Sequence, residues 1–221
     1  MNTILKVGSR SSPLALKQVK EIQEFIPSVQ LVVIPIETQG DKDKFTPLSE
    51  VENSDFFTRE IDLALLRGDI DIAIHSSKDL PDVLPEGLKV IFETKSLSPF
   101  DVLVAKGNLK LKDLPLGARV GASSIRRKSQ ILSFRRDLKI VDIRGNIQER
   151  LNLISENKID ALIVAHAALI RLGLEDKITE ILNPVEFPTH PKQGRLAIVV
   201  KENRCQEVRF ILSELDQVTG N

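Results

Sequence analysis

Four times in this chain a short apolar run ends in a turn rich in Ser, Gly or Asn. Ile4–Gly8 leads into Ser9-Arg10-Ser11-Ser12-Pro13 and then a helix with Leu16, Val19, Ile22 and Ile26 at helical spacing. Ser12 suits its N-cap and Pro13 its first position. Asp69–Ile74 leads into His75-Ser76-Ser77-Lys78-Asp79-Leu80-Pro81. Ala118–Val120 leads into Gly121, Ser123, Ser124 and a helix from about Ile125. Leu138–Ile143 leads into Arg144-Gly145-Asn146 and a helix from Ile147. Strands alternating with helices predict an α/β protein with largely parallel, mixed sheets. Ligands of such sheets sit off the carboxyl ends of the strands, where all four turns fall.

The rest of the chain fits that frame. Leu31–Ile36 reads as a strand without polar side chains, buried on both faces, with Pro35 marking its end or an edge. Thr38–Asp55 reads as a long polar loop, and a helix from about Phe57 to Arg67 stops at Gly68. Leu88–Glu93, Asp101–Ala105, Ala161–Ala165 and Leu196–Val200 read as strands. Ala167–Leu172, Leu174–Leu182 and Arg204–Leu215 read as helices. Two connectors, Thr94–Pro99 and Phe187–Gly194, bracket a middle segment. The expected organisation is a discontinuous first domain, 1–95 and 195–221, with a second domain, 100–190, inserted and the ligand between them.

The chemistry is concentrated in Gly121–Arg150, which holds Arg126, Arg127, Lys128, Arg135, Arg136, Lys139, Arg144 and Arg150 against Asp137, Asp142 and Glu149. The whole chain carries 31 basic and 31 acidic residues, so this excess is local. Arg126, Arg127, Arg144 and Arg150 lie at the two junctions. There, free N–H groups and helix dipoles favour anions, so a pocket for carboxylates or phosphates is expected. Arg135 and Arg136 read as a solvated helix face. Arg10 adds a third basic junction. Asp79 is the one acid at a junction, against the plainer reading of a turn residue before Pro81. His75 reads as a satisfied structural histidine.

Other classes lose support. Zero net charge does not point to non-specific nucleic-acid binding, and with Phe the only aromatic there is no stacking platform for single strands. No GxxxxGK(S/T), no GxGxxG after a strand and no GxSxG occurs. Three histidines and one cysteine show no metal-ligand spacing, so no metal is expected. The single cysteine fits a reducing compartment, and no apolar run reaches the roughly 18 residues of a membrane span. The first ten residues lead straight into a strand without the apolar core of a signal peptide, so a cytoplasmic protein is expected.

SRSSPLAL from Ser9, HSSKDLP from His75, GASSIRR from Gly121, and IRGNIQERL followed by DALIVAHAALIRLGL resemble porphobilinogen deaminases along nearly the whole chain and in the family's order. That resemblance implies a two-domain architecture like the type II periplasmic-binding proteins. It also implies a cytoplasmic transferase of haem biosynthesis that condenses four porphobilinogen units into a linear tetrapyrrole with loss of ammonia. The growing chain would hang from a dipyrromethane cofactor on a cysteine. Asp79 matches the catalytic aspartate. Arg10, Arg126, Arg127, Arg144 and Arg150 match arginines that bind acetate and propionate side chains, and Ser12, Lys78, Ser123 and Ser124 match supporting contacts. The implied partners are porphobilinogen and pyrrole oligomers, with neither nucleic acid nor membrane.

Three departures stand out. The family's Lys- and Gly-rich loop is Glu50-Val51-Glu52-Asn53-Ser54-Asp55-Phe56-Phe57 here. Its Gly-Gln-Gly is Lys192-Gln193-Gly194. The family's third domain, with the cofactor cysteine, has no counterpart in these residues, and a separate chain that supplies it is one expected partner beside a naturally short enzyme. Cys205 is the one candidate anchor, yet it shares an apolar helix face with Val208, Ile211, Leu212 and Leu215, which favours a packed thiol. An inactive family member that binds a tetrapyrrole or polycarboxylate is the alternative reading.

Overall fold

A computed structural model describes residues 3–43, 45, 46, 51 and 54–219. In chain order these form β1 (Thr3–Ser9), α1 (Pro13–Phe25), β2 (Val29–Pro35), α2 (Gln39–Lys42), α3 (Arg59–Arg67), β3 (Ile72–Ser76) and β4 (Leu88–Glu93). There follow β5 (Asp101–Ala105), β6 (Arg119–Gly121), α4 (Ile125–Phe134), β7 (Lys139–Val141), α5 (Ile147–Ser155), β8 (Ala161–Ala165), α6 (His166–Leu172), β9 (Glu180–Ile181), β10 (Leu196–Lys201) and α7 (Cys205–Ile211). They divide into two compact units, one of residues 1–43, 53–97 and 194–221, the other of 44–52 and 98–193.

The first unit is a five-stranded sheet in the order β2-β1-β3-β10-β4. β1 runs parallel to β2 and β3, while β10 runs antiparallel to β3 and β4. Alternation along each strand sends side chains to two faces. Leu5, Val7, Ile72, Ile74, Ile198 and Val200 meet Val19 and Ile22 of α1 and Val208 of α7. Ala73, Ala197 and Val199 meet Ile61 and Leu65 of α3. Each of the Val, Leu and Ile side chains among them, fully buried, contributes roughly 1.5–3 kcal/mol. Gly68 ends α3 in the left-handed region at φ 83°, which glycine adopts without a Cβ clash.

The second unit repeats the plan, in the order β7-β6-β8-β5-β9. β6 is parallel to β7 and β8, and β5 is antiparallel to β8 and β9. Leu103, Val120, Ala161 and Ile163 pack with Ile131 of α4 on one face. Val102, Val104, Leu162 and Val164 pack with Leu169 of α6 on the other. Among the described residues no helix is long and apolar enough to cross a membrane.

Several expectations need correction. The sheets are mixed as expected, with β10 and β5 antiparallel to their neighbours, but two of the four pairings in each sheet are antiparallel, a larger share than alternation with helices implied. β2 is an edge strand, so Val32 is 38% exposed and an apolar run did not mean burial on both faces. The helix expected over 174–182 is a 3-10 turn at Glu175–Lys177 followed by β9. Ile178, Thr179 and Ile181 are β-branched and suit an edge strand better. The last helix ends at Ile211 and continues as a 3-10 turn over Ser213–Gln217. Within the supposed loop 38–55, Thr38-Gln39-Gly40-Asp41 opens α2 as a capping box.

Candidate functional site

In the first unit β1 and β3 are parallel neighbours, so the turns after them lie side by side. Ser12 caps α1 by accepting from Ala15 N at 3.2 Å, and Arg10 precedes it. The Arg10 guanidinium donates to Asp41, from Nε at 3.0 and 3.2 Å and from Nη2, and lies 4.4 Å from the centroid of the Phe57 ring. The Asp41 carboxylate also accepts from Thr38 N at 3.1 Å and Thr38 Oγ1 at 2.9 Å. Burial pulls its pKa up, but the Arg10 and Thr38 hydrogen bonds outweigh this and leave it lowered. On the other turn Ser77–Asp79 is a 3-10 turn, with Ser77 buried, Lys78 half-buried and Asp79 exposed.

His75, next to the last residue of β3, links the two junctions electrostatically. Burial pushes its pKa down to about 4, Asp79 pulls it up and Arg10 pushes it down, so the ring is neutral at neutral pH. It is buried as expected, but it is not satisfied, because Nε2 has no hydrogen-bond partner. Ser77 Oγ and both oxygens of Asp62 on α3 are likewise buried without a bond of good geometry. Burial raises the Asp62 pKa to about 6, a nearby Thr58 hydroxyl lowering it only in part and the Asp55 charge raising it further.

In the second unit the two basic junctions are adjacent because β6 and β7 pair in parallel. Ser123 is buried and donates to Ile143 O at 2.6 Å, tying one junction to the other. Ser124 is the N-cap residue of α4 by position, without a side-chain cap bond. Asn146 caps α5 in a reciprocal box with Glu149. Arg150 donates from Nε to Gly145 O at 2.8 Å, and Arg144 is half-buried between β7 and α5.

The two arginines of α4 share one carboxylate. Asp101, at the head of β5 and 1% exposed, accepts from Arg126 Nη2 at 2.9 Å, from Arg127 Nε at 3.1 Å and Nη2 at 2.6 Å, and from Gln193 Nε2 at 3.0 Å. Arg127 is buried, while Arg126 is more open and also donates to Pro188 O at 2.5 Å and Gln130 Oε1 at 3.1 Å. Arg135 is not a solvated charge. It donates to the carbonyls of Lys112 and Leu114 at 2.9 Å and pairs with Asp137. Cys205 is half-buried against the first unit's core, its Sγ 3.8 Å from Lys201 O.

Asp41 and Asp101 were not read as site residues, and Gln193 was read only as the middle of Lys192-Gln193-Gly194. The first was legible, since Thr-x-x-Asp is a capping-box pattern. For Asp101 the only signal was an acid directly ahead of the apolar run Val102–Ala105, which needs a counter-charge if the strand is buried. The departures at Glu50, Glu52 and Asn53 lie outside the described residues. Among the described residues there is no group of three side chains able to hold a metal.

Comparison with known proteins gives three results. The family model described as "Porphobilinogen deaminase, dipyromethane cofactor binding domain" matches residues 5–208. The porphobilinogen deaminases of Desulfitobacterium hafniense and Syntrophobacter fumaroxidans are 38% and 41% identical to the chain, each match covering 96% of this chain and 70% of the relative. A nutrient-binding protein from Burkholderia cenocepacia, solved bound to methionine, superposes with a TM-score of 0.57 at 15% identity, over 96% of this chain and 91% of that one. At that identity the likeness speaks for the fold alone, the α/β architecture of the type II periplasmic-binding proteins.

Proposed function

The chain belongs to the porphobilinogen deaminase family of transferases, and we propose that it performs hydroxymethylbilane synthesis, joining four porphobilinogen units head to tail with release of one ammonia at each addition. The observation that carries this reading is the placement of Asp79 on the turn beside the Arg10 junction, with the neutral His75 beneath both. Loss of ammonia from the aminomethyl group leaves a pyrrole cation, and the Asp79 carboxylate is the group assigned to stabilise it and to handle protons at the pyrrole N–H. Arg10 takes one substrate carboxylate, with Ser12 and Lys78 supporting it.

The family's dipyrromethane carries several carboxylates, and the donor chemistry of the second unit fits it. Arg126, Arg144 and Arg150 lie at two adjoining strand ends, and Ser123 and Ser124 line the turn between them. When bound, that group supplies the end to which each new pyrrole is joined. Arg126, Arg144 and Arg150 would hold its carboxylates, because a planar guanidinium matches a carboxylate in two places. Arg127 serves these neighbours through Asp101. Cys205 does not fit as the anchor, since its thiol packs on the core of the first unit. An inactive binder is the lesser reading, because a carboxylate in a basic site gains a pure anion binder nothing.

The test is turnover of porphobilinogen, followed as uroporphyrin after oxidation of the product. Asp79→Asn is expected to keep the fold and to lower the rate by on the order of 100-fold or more. Turnover near wild type in that variant refutes the role of Asp79.

A further inference from the structure

We propose that Asp41 is a positioning residue for Arg10: with Phe57 it fixes the guanidinium so that the Nη1 edge is the one offered to a ligand carboxylate. This rests on the reading above that Arg10 binds such a carboxylate. Arg10 has one of the longest and most mobile side chains, and an unrestrained arginine must be ordered each time a ligand binds. Here two of its three nitrogens, Nε and Nη2, are already engaged by Asp41, while the Phe57 ring covers the guanidinium at 4.4 Å. Among the described residues Nη1 donates no hydrogen bond.

Asp41 is suited to hold rather than to compete. A displaceable acid would swing away when a ligand arrived, but this carboxylate is anchored independently by the amide and hydroxyl of Thr38, itself fully buried. The Phe57 wall is equally fixed. Gly40 N donates to Phe56 O at 2.9 Å, and a Cβ on Gly40 would come within 2.2 Å of the Phe57 ring. Thr38, Gly40, Asp41 and Phe57 thus form one rigid seat for one side chain. Removing the Asp41 charge would also relieve its repulsion of an incoming carboxylate. That effect is the smaller one, because the guanidinium stands between the two anions and the Arg10 side chain, 28% exposed, is open to screening solvent.

Porphobilinogen is titrated calorimetrically into the wild type, Asp41→Asn, Arg10→Ala and the double variant. Asp41→Asn is expected to weaken binding by about five- to tenfold, the loss of a pre-ordered long side chain. Arg10→Ala weakens it at least as much, and the double variant binds no more weakly than Arg10→Ala, because Asp41 acts only through Arg10. Unchanged or tighter binding by Asp41→Asn, or additive losses in the double variant, overturns the proposal. If Arg10→Ala itself binds as well as wild type, the carboxylate role of Arg10 falls and the proposal with it. If only Asp41→Asn is without effect, the role of Arg10 stands and that of Asp41 does not. Should Asp41→Asn fail to fold, Thr38→Val removes a single anchor of the carboxylate at a near-isosteric buried position. Weakened affinity at an unchanged melting temperature there supports the proposal, and wild-type affinity overturns it.

Discussion

Replacing Asp101 by Asn tests how the arginine pair of α4 is held. Four donors converge on the Asp101 carboxylate: Arg127 Nη2 at 2.6 Å and Gln193 Nε2 at 3.0 Å on Oδ1, Arg126 Nη2 at 2.9 Å and Arg127 Nε at 3.1 Å on Oδ2. An amide has one acceptor oxygen where the carboxylate has two, so whichever way the new side chain sits, its NH2 faces two other donors. The charge is lost as well. Arg127 cannot turn to water, because its side chain is only 8% exposed. Breaking one side of a buried ion pair typically costs about 3–5 kcal/mol, since the remaining charge is left uncompensated. For a chain of this length that lowers the melting temperature by on the order of 10 °C. With no Trp and no Tyr in the sequence, far-UV circular dichroism in urea is the suitable assay. The companion variant Asp101→Leu/Arg127→Met removes both charges and should recover at least half of the loss, since a buried pair is readily replaced by apolar packing. A loss below about 1 kcal/mol in Asp101→Asn, or a double variant no better than the single one, refutes the reasoning.

The sequence could be read for the elements whose signal is local. Ser12-Pro13 announced the start of α1 and Gly68 the end of α3, because capping depends on the residues within one turn. The junction residues could be found for the same reason, and the parallel pairing of β6 with β7 then put two of them together. What could not be read depends on partners far along the chain. Asp101 meets Gln193 across 92 positions and Arg10 meets Asp41 across 31. Nothing near any of these residues marks the pairing. The direction of β5 and β10 was hidden for a related reason: an apolar run carries no sign of which way its neighbours point, so alternation with helices gave sheets that are largely parallel without saying which strands depart. The basic run shows the same limit in the opposite sense. Position in the sequence sorted the arginines into junction and helix face but could not show that Arg127, Lys128 and Arg135 are each spent on an acid of the same unit. The part left over for a ligand is smaller and lies at the strand ends.

Two further variants probe the first unit. Gly40→Ala should cost about 1–3 kcal/mol, because its Cβ meets both the Phe57 ring and, at 3.0 Å, the immobile Phe56 carbonyl; it should also weaken porphobilinogen binding by moving the wall beside Arg10. Wild-type melting temperature and affinity would show that the seat is soft. Asp62→Asn should stabilise the protein at pH 7–8 and not at pH 4. The Asp62 carboxyl is 2% exposed and burial raises its pKa from 3.8 to about 6, so the folded chain keeps this proton after the unfolded chain has lost it. Its contribution is therefore full below about pH 4, is lost as pH rises to about 6, and amounts to roughly 1–3 kcal/mol in all. An uncharged Asn has no such loss. The stability difference between variant and wild type, measured by urea denaturation at successive pH values, must grow from pH 4 to pH 6 and then level off. Asp41, Asp137 and Asp160, whose pKa values are lowered, titrate in both proteins and cancel from that difference. A difference that is flat with pH, or that grows toward acid, would mean that Asp62 is ionised in the folded state and that its burial is balanced by some other group.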